Sequence, residues 1–370
     1  MNTHKKAEEL LSLAGIQING PNPWDIQVHN EKLFDRVFAG GTLALGESYM
    51  DGWWDVDDLS EFFNRLLRAD LYNKKPNPFS LLATILRAKI MNMQSRTRSE
   101  QVAKEHYDLG NDLYMSFLDP FNQYTCGYFK DTTDLNTAQE QKLDLVCRKL
   151  GIQKGDRVLD IGCGWGGFAK FASERYGAHV TGVSISDEQI TYAKELCKDC
   201  TVDIKKMDYR DVTGSFDKVV VIGMIEHVGY KNYRTILKKV HEVLKPGGLF
   251  MLHTIGGNVS AVTNEPWINK YIFPNGLMPS IAQLGKAMEG LFVMEDWHNF
   301  SAYYDDTLMA WMENFDKSWG SLKKQYDDRF YRMWKYYLLC CAGSFRSRQS
   351  QLWQIVLSKE GVPGGYTSVR

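Results

Sequence analysis

The stretch Asp160-Ile161-Gly162-Cys163-Gly164-Trp165-Gly166-Gly167 closes a short strand pattern that begins at Arg157. A glycine-rich turn leaving a buried strand is where an open α/β sheet takes a nucleoside-bearing ligand. The glycines let the backbone come close, and the helix that follows points its N–H groups at the ligand. The acid two residues before the first glycine and the G-x-G-x-G spacing differ from the G-x-G-x-x-G of a dinucleotide loop. Asp217, opening a fourth strand, and Lys245-Pro246-Gly247-Gly248, turning into a fifth, continue the order of a methyltransferase. The chemistry that suits such a turn is S-adenosylmethionine, a cationic sulfonium with an amino-acid tail and no phosphate. Asp160, Gly162 and Gly164 are its expected contacts. The second strand runs out in Gly182-Val183-Ser184-Ile185-Ser186, without the acid that commonly meets ribose hydroxyls. Ser184 and Gln189 are therefore the polar candidates there. Asp208 stands where the adenine amine is met, and Tyr209 can cover the adenine face.

These residues need elements to hold them. Helix is expected over 137–150, strand over 157–161, helix to about 176, strand over 179–183 and helix over 186–197. Strand follows over 216–222, helix over 232–244, a turn over 245–248 and strand over 249–253. Alternating β and α, with strands apolar on both faces, implies a doubly wound parallel sheet. The fold class is thus α/β, a Rossmann-like S-adenosylmethionine-dependent methyltransferase fold. A smaller, mainly helical N-terminal accessory domain is expected over 1–95, ahead of a catalytic domain over 96–370. Asn73-Lys74-Lys75-Pro76-Asn77-Pro78 breaks structure between them, and 79–93 is apolar at helical spacing. From Leu71 to Lys104 the charges are Lys74, Lys75, Arg87, Lys89, Arg96, Arg98 and Lys104 against Glu100. Such a segment is either a solvated linker or a surface for anionic lipid, where each cation adds about 1 kcal/mol.

Composition removes several classes. The 370 residues carry 44 Lys+Arg and 45 Asp+Glu, a net charge of −1, so bulk charge points to no nucleic-acid partner. No apolar run approaches the roughly 18 residues of a membrane-spanning helix. Leu10-Leu11-Ser12-Leu13-Ala14 is too short for a signal core. The seven cysteines are odd in number and unpatterned, which fits a reducing cytoplasm. Cys197-Lys198-Asp199-Cys200 has no second pair at zinc spacing, so no metal ligands are expected.

Several further segments carry a family resemblance. They are His106-Tyr107-Asp108-Leu109-Gly110-Asn111-Asp112, Gln123-Tyr124-Thr125-Cys126-Gly127-Tyr128, Gly223-Met224-Ile225-Glu226-His227-Val228-Gly229 and Leu252-His253-Thr254-Ile255-Gly256. Trp267 to Gly276, Cys341-Ala342-Gly343-Ser344-Phe345-Arg346 and Leu45 to Trp54 continue it. Together with the glycine turn, they make the chain resemble the bacterial cyclopropane-fatty-acyl-phospholipid synthases and their relatives that modify mycolic acids. The resemblance implies methylene transfer to the cis double bond of a phospholipid acyl chain. It also implies a bound bicarbonate ion as base, held by Cys126, Glu226, His253, the Ile255 backbone and Tyr304, with Cys341 as a close neighbour. Thr125 is counted with the cofactor contacts. Glu226 is expected to fix the tautomer of His253. The resemblance further implies a homodimer on the inner face of the cell membrane, with the acyl chain served partly by an insertion over 257–300.

Plainer roles compete for each residue. A His ending a strand is often only a satisfied structural group. Cys126 and Cys341 alone read as small buried apolar residues. Glu226-His227 can start a helix, and Trp53, Trp54 and Trp267 can be core. Among activities, the rivals are lipid methylation without ring closure, methylation of a small N- or O-acceptor, and silent membrane binding.

Overall fold

The computed structural model describes residues 3–70 and 110–370. The segment 71–109 lies outside the described residues, and with it the basic stretch, the apolar run 79–93 and His106 to Leu109. The chain forms two compact units. Among the described residues, the first gathers 3–70, 263–274 and 304–350, and the second gathers 110–262, 275–303 and 351–370. The division therefore does not fall as a single cut at residue 95. Helices from late in the chain join the N-terminal ones in the first unit.

In the first unit, α1 (Thr3–Ser12), α2 (Leu33–Met50) and α3 (Leu59–Arg68) accompany a two-stranded ribbon of β1 (Gln27–Val28) and β2 (Trp54–Asp55). The long helix Asp328–Arg346 packs on α2 and α3. Its Arg332 explains the tie: Nε donates to the Tyr49 carbonyl at 2.5 Å, and Nη2 donates to the Trp54 carbonyl at 2.9 Å and to Asp55 Oδ1 at 2.8 Å. Trp54 is fully buried, donating its indole N–H to the Leu45 carbonyl at 3.2 Å, and Trp267 packs against Tyr336 at 4.5 Å. Trp54 of the N-terminal Trp-rich motif is thus core, as is Trp267, while Trp53 is half-buried.

The second unit is built on a seven-stranded sheet. Its strands are β3 (Arg157–Ile161), β4 (His179–Ser184), β5 (Val202–Lys206), β6 (Phe216–Ile222), β7 (Leu244–Gly257), β8 (Val293–Asn299) and β9 (Ser350–Ser358), in the order β5-β4-β3-β6-β7-β9-β8. The first five in that order pair in parallel, and β8 pairs antiparallel with β9. The expected turn at 245–248 is a loop pushed out of β7. Phe216 pairs with Leu244 and Lys218 already with Leu249, while Lys245 Nζ donates to Asp217 Oδ1 at 2.6 Å. Within the expected insertion 257–300, β8 forms an edge strand of the sheet, and helix Ile281–Met288 packs on helix Tyr233–Val243.

Strand side chains alternate between two apolar clusters. Leu159, Val219, Val221, Phe250, Leu252 and Ile355 face Tyr233–Val243. Val158, Val220, Met251 and Val356 face α4 (Leu135–Leu150) and the helices Gly167–Tyr176 and Asp187–Leu196. A period of two fixes the rest: Asp160, His253 and Gln354 share the parity of Val158, Met251 and Val356, so they project to the α4 face. The buried stripe of α4 contains Gln139, Lys142 and Lys149 among its apolar residues.

Candidate active site

The glycine turn is shaped as the spacing demands. Gly162 has φ +82° and Gly164 φ +53°, a left-handed region that residues with a Cβ seldom adopt. A Cβ on Gly162 would lie 2.6 Å from Met224 Cγ, whereas one on Gly164 would meet nothing within 4 Å. The Gly162 and Cys163 N–H groups donate to the Val183 carbonyl at 2.9 and 3.1 Å, so β4 holds the turn in place. Asp160 is buried, and its Oδ2 has no hydrogen-bond partner. Burial pushes its carboxyl up to about 7, against the opposing charge of Lys142. An unpartnered buried carboxylate oxygen and an open glycine cradle fit a ligand that brings an ammonium and a sulfonium.

The other expected cofactor contacts stand at the same ends of the parallel strands. Ser184 Oγ donates to Gln189 Oε1 at 3.2 Å, and the Met207 N–H donates to the Ser184 carbonyl at 3.0 Å. Asp208 accepts from the Arg210 N–H at 2.9 Å and from its guanidinium at 2.7 Å. Tyr209 is buried in the apolar cluster of its face, with the Arg210 guanidinium 4.7 Å from its ring and its hydroxyl without a partner. Thr125 accepts from Lys142 Nζ at 2.8 Å through its hydroxyl and from Gln139 Nε2 at 2.8 Å through its carbonyl. Cys126, next in the chain, is fully buried, and its thiol donates to the Gly127 carbonyl at 3.2 Å.

Glu226 and His253 form the polar centre. The corner after β6 is closed by the Gly223 N–H donating to the His253 carbonyl at 2.9 Å, and Glu226 follows in a short 3₁₀ turn, Ile225–His227. Glu226 Oε1 accepts the Ile255 N–H at 2.7 Å, while Oε2 is buried without a partner. Burial pushes this carboxyl up to about 7, against the Glu226 and Ile255 backbone N–H groups that favour its charge. His253 is 1% exposed. Burial, then the charges of Lys142 and Lys149, hold its imidazole well below the ordinary range, so it is neutral. Its Nδ1 pairs with Gln354 Nε2 at 3.2 Å, and its Nε2 has no partner.

Two expectations are corrected by these bonds. The tautomer of His253 is set by Gln354, not by Glu226, because Glu226 is engaged by a backbone amide two residues further along β7. The Ile255 N–H, expected to face the bicarbonate, is committed to Glu226, and the Ile255 carbonyl accepts the Thr254 hydroxyl at 2.8 Å. Tyr304 and Cys341 belong to the first unit. There Tyr304 is buried and stacks on Phe345 at 4.4 Å, and Cys341 lies on the helix Asp328–Arg346. Sequence reasoning missed Lys142 and Gln354, both 0% exposed. The available signal for Lys142 was a charged residue on the apolar stripe of a helix.

A mostly parallel sheet of this order, with a glycine turn and a buried acid at the end of its first strand, defines an S-adenosylmethionine-dependent methyltransferase. Comparison with known proteins narrows the class. The family model described as Mycolic acid cyclopropane synthetase matches residues 94–355. The chain is 52% identical over 369 residues to the Cyclopropane-fatty-acyl-phospholipid synthase of Escherichia coli, covering 100% of this chain and 96% of that one. It is 32% identical over 355 residues to the Tuberculostearic acid methyltransferase UfaA1 of Mycobacterium tuberculosis, covering 90% and 82%. The solved mycolic acid cyclopropane synthase CmaA1, complexed with SAH and CTAB, aligns with a TM-score of 0.65 at 29% identity, over 70% of this chain and 98% of that one. The chain belongs to the cyclopropane synthase family of lipid-modifying methyltransferases.

Proposed function

We propose that the chain adds a methylene group to the cis double bond of unsaturated phospholipid acyl chains, giving a cyclopropane, with bicarbonate as the base. Bound S-adenosylmethionine supplies an electrophilic methyl, and its uptake by an alkene leaves a cation that closes to a ring when a proton leaves the added carbon. The residues then have three tasks: to orient the donor, to keep water from the cation, and to hold a base beside the added carbon. Asp160 and the glycine turn serve the first. The burial around His253, with Phe300 edge-on at 6.0 Å and Tyr128 against Phe300 at 5.2 Å, serves the second.

The observation that carries the base is the pair of unpartnered atoms, Glu226 Oε2 and His253 Nε2. One accepts and the other donates, the complement of a bicarbonate hydroxyl and oxygen. Cys126 stands with them as a third candidate contact. Work on intact phospholipid also calls for contact with the bilayer, and we place this enzyme as a peripheral, cytoplasmic homodimer. No helix among the described residues is long and apolar enough to cross a membrane.

Incubation with mixed unsaturated phospholipid vesicles and S-adenosylmethionine, followed by mass spectrometry and proton NMR of the lipids, tests the reaction. Ring methylene protons far upfield are the expected result. A methyl-branched or methylene product would replace this reading with its rival, which the similarity to UfaA1 supports. Turnover that survives removal of bicarbonate unchanged would exclude that ion as the base. Cosedimentation with anionic vesicles tests the membrane contact. Replacing Lys74, Lys75, Arg87 and Lys89 by Glu should weaken it, and unchanged binding would remove those residues from the docking surface.

A further inference from the structure

Lys142 is 0% exposed, and a buried lysine is costly unless its charge is answered. Two of its three N–H donors are accounted for: one to Gln123 Oε1 at 2.6 Å and one to Thr125 Oγ1 at 2.8 Å. Both acceptors belong to the four residues that end at Cys126. Gln139, one turn earlier on α4, reinforces the same segment by donating to the Thr125 carbonyl at 2.8 Å. Thr125 in turn lies under the corner after β6, where a Cβ on Gly223 would come 2.6 Å from its Cγ2. The strand parity above turns Asp160 toward α4. The charged or titratable groups that act on Lys142 are Asp119, Cys126 and Asp160. Those that interact with Asp160 are Lys142 and the buried thiols of Cys163 and Cys197, both held in the neutral form by burial. Among the described residues, the cation that acts on Asp160 is Lys142, and it also grips the segment bearing Thr125 and Cys126.

We infer that Lys142 is a positioning residue for methyl transfer: it supplies the counter-charge for the cofactor acid Asp160 and locks the Gln123–Cys126 segment beside it. The inference rests on reading the glycine turn as the S-adenosylmethionine site and is independent of the bicarbonate reading. With the lysine charge present, Asp160 stays ionised to lower pH and receives the amino-acid tail of the donor. Without it, the carboxyl takes up a proton at higher pH, and the pull on the donor's ammonium is lost there.

The experiment is S-adenosylhomocysteine binding by calorimetry on the full chain across pH, with thermal melting to verify folding. Wild type should bind with an acid limb that sets in near pH 7, where burial places the Asp160 carboxyl. Asp160→Asn should abolish that limb. Lys142→Met and Lys142→Gln should move the midpoint up by about one pH unit, which is about tenfold weaker binding on the acid limb, with affinity converging at high pH. Lys142→Arg should keep the wild-type midpoint. Lys142→Gln retains donors for Gln123 and Thr125 without the charge, so it separates charge from packing. An unshifted midpoint in folded Lys142→Met or Lys142→Gln overturns the inference. Should neither variant fold, an acid limb that persists in Asp160→Asn overturns it independently. Absence of any S-adenosylhomocysteine binding by wild type would instead overturn the reading of the turn.

Discussion

Gln354 donates its side-chain amide to Nδ1 of His253 at 3.2 Å, strand to strand across the buried α4 face of the sheet. An amide N–H cannot accept, so Nδ1 accepts and the imidazole proton sits on Nε2, the nitrogen without a protein partner. Gln354 thereby decides what His253 presents at Nε2, the atom proposed to meet the bicarbonate. Gln354→Glu should reverse the arrangement, since a carboxylate would draw the proton to Nδ1 and leave Nε2 a bare acceptor. Partners that orient metal-bound histidines are worth roughly 10–100-fold in activity, which sets the order of magnitude for this imidazole. The expected outcome is a kcat loss of that order for Gln354→Glu and a smaller one for Gln354→Met, with S-adenosylhomocysteine affinity kept. Nitrogen-15 NMR of the imidazole reads the tautomer directly. A Gln354→Glu variant with Nε2 still protonated and full turnover would contradict the assignment.

Glu226→Gln separates function from stability. Burial raises the folded carboxyl to about 7 from the ordinary value of 4.5. The folded state then holds more protons than the unfolded chain between those values, so this residue's contribution to stability falls as pH rises from 4.5 to 7. The loss reaches about 3 kcal/mol at neutral pH, as an order of magnitude. A neutral glutamine escapes it. Glu226→Gln should match wild type in denaturant melts near pH 4.5, exceed it above pH 7, retain cofactor binding and lose most turnover. A variant that is less stable than wild type at pH 8, or that fails to bind cofactor, would show that the carboxylate is held for the fold instead.

The two glycines of the turn predict different failures. Gly162→Ala meets Met224 at 2.6 Å while forced to φ +82°, so it should lower both stability, by about 1–3 kcal/mol, and cofactor affinity. Gly164→Ala meets nothing within 4 Å and carries only the left-handed penalty at φ +53°, about 1–2 kcal/mol. Its methyl enters the open cradle, so affinity should fall at least as far as in Gly162→Ala for a smaller loss of melting temperature. Calorimetry and thermal melts of both variants, side by side, decide. Equal ratios of affinity loss to stability loss would deny the cradle role of Gly164.

Much of this site is legible in the sequence because its spacing is local. β3 and β6 run from Arg157 to Ile161 and from Phe216 to Ile222, as their apolar runs indicate, and Asp160 with its glycines occupies one turn. β5 escapes because it is an edge strand in which only Ile204 is buried. β8 is likewise an exposed edge, and β9, though buried along its length, is interrupted by Gln351 and Gln354. Gln351 accepts from the Asn299 amide and the Ser301 hydroxyl, and Gln354 meets His253. Gln354 and Lys142 sit at apolar positions of a strand and a helix because each bonds a group distant in sequence, His253 or Gln123 and Thr125. Periodicity counts such residues as defects, and only the fold supplies their partners. The division into units is hidden for the same reason: Arg332 reads as a surface cation on its helix until Tyr49, Trp54 and Asp55 are brought to it.

Gly343 tests the first unit separately from the cofactor turn. It lies on the helix Asp328–Arg346, where a Cβ would come 2.5 Å from the Ser60 carbonyl oxygen, 2.7 Å from Phe63 Cβ and 2.9 Å from the Asn64 nitrogen, all on α3. Two of those atoms are backbone, so no rotamer change relieves the contact, and the helices must separate. Three residues on, Arg346 pairs with Glu61 of α3 at 3.5 Å, which resists that separation. Gly343→Ala should therefore cost about 1–3 kcal/mol despite the better helix propensity of alanine. S-adenosylhomocysteine affinity should stay at the wild-type value at temperatures where the variant is folded, because Asp160 and its turn belong to the other unit. Thermal melts combined with calorimetry at 15 °C measure both quantities. A Gly343→Ala protein as stable as wild type would mean that the two helices part at no cost, and the close approach would not be what requires glycine here.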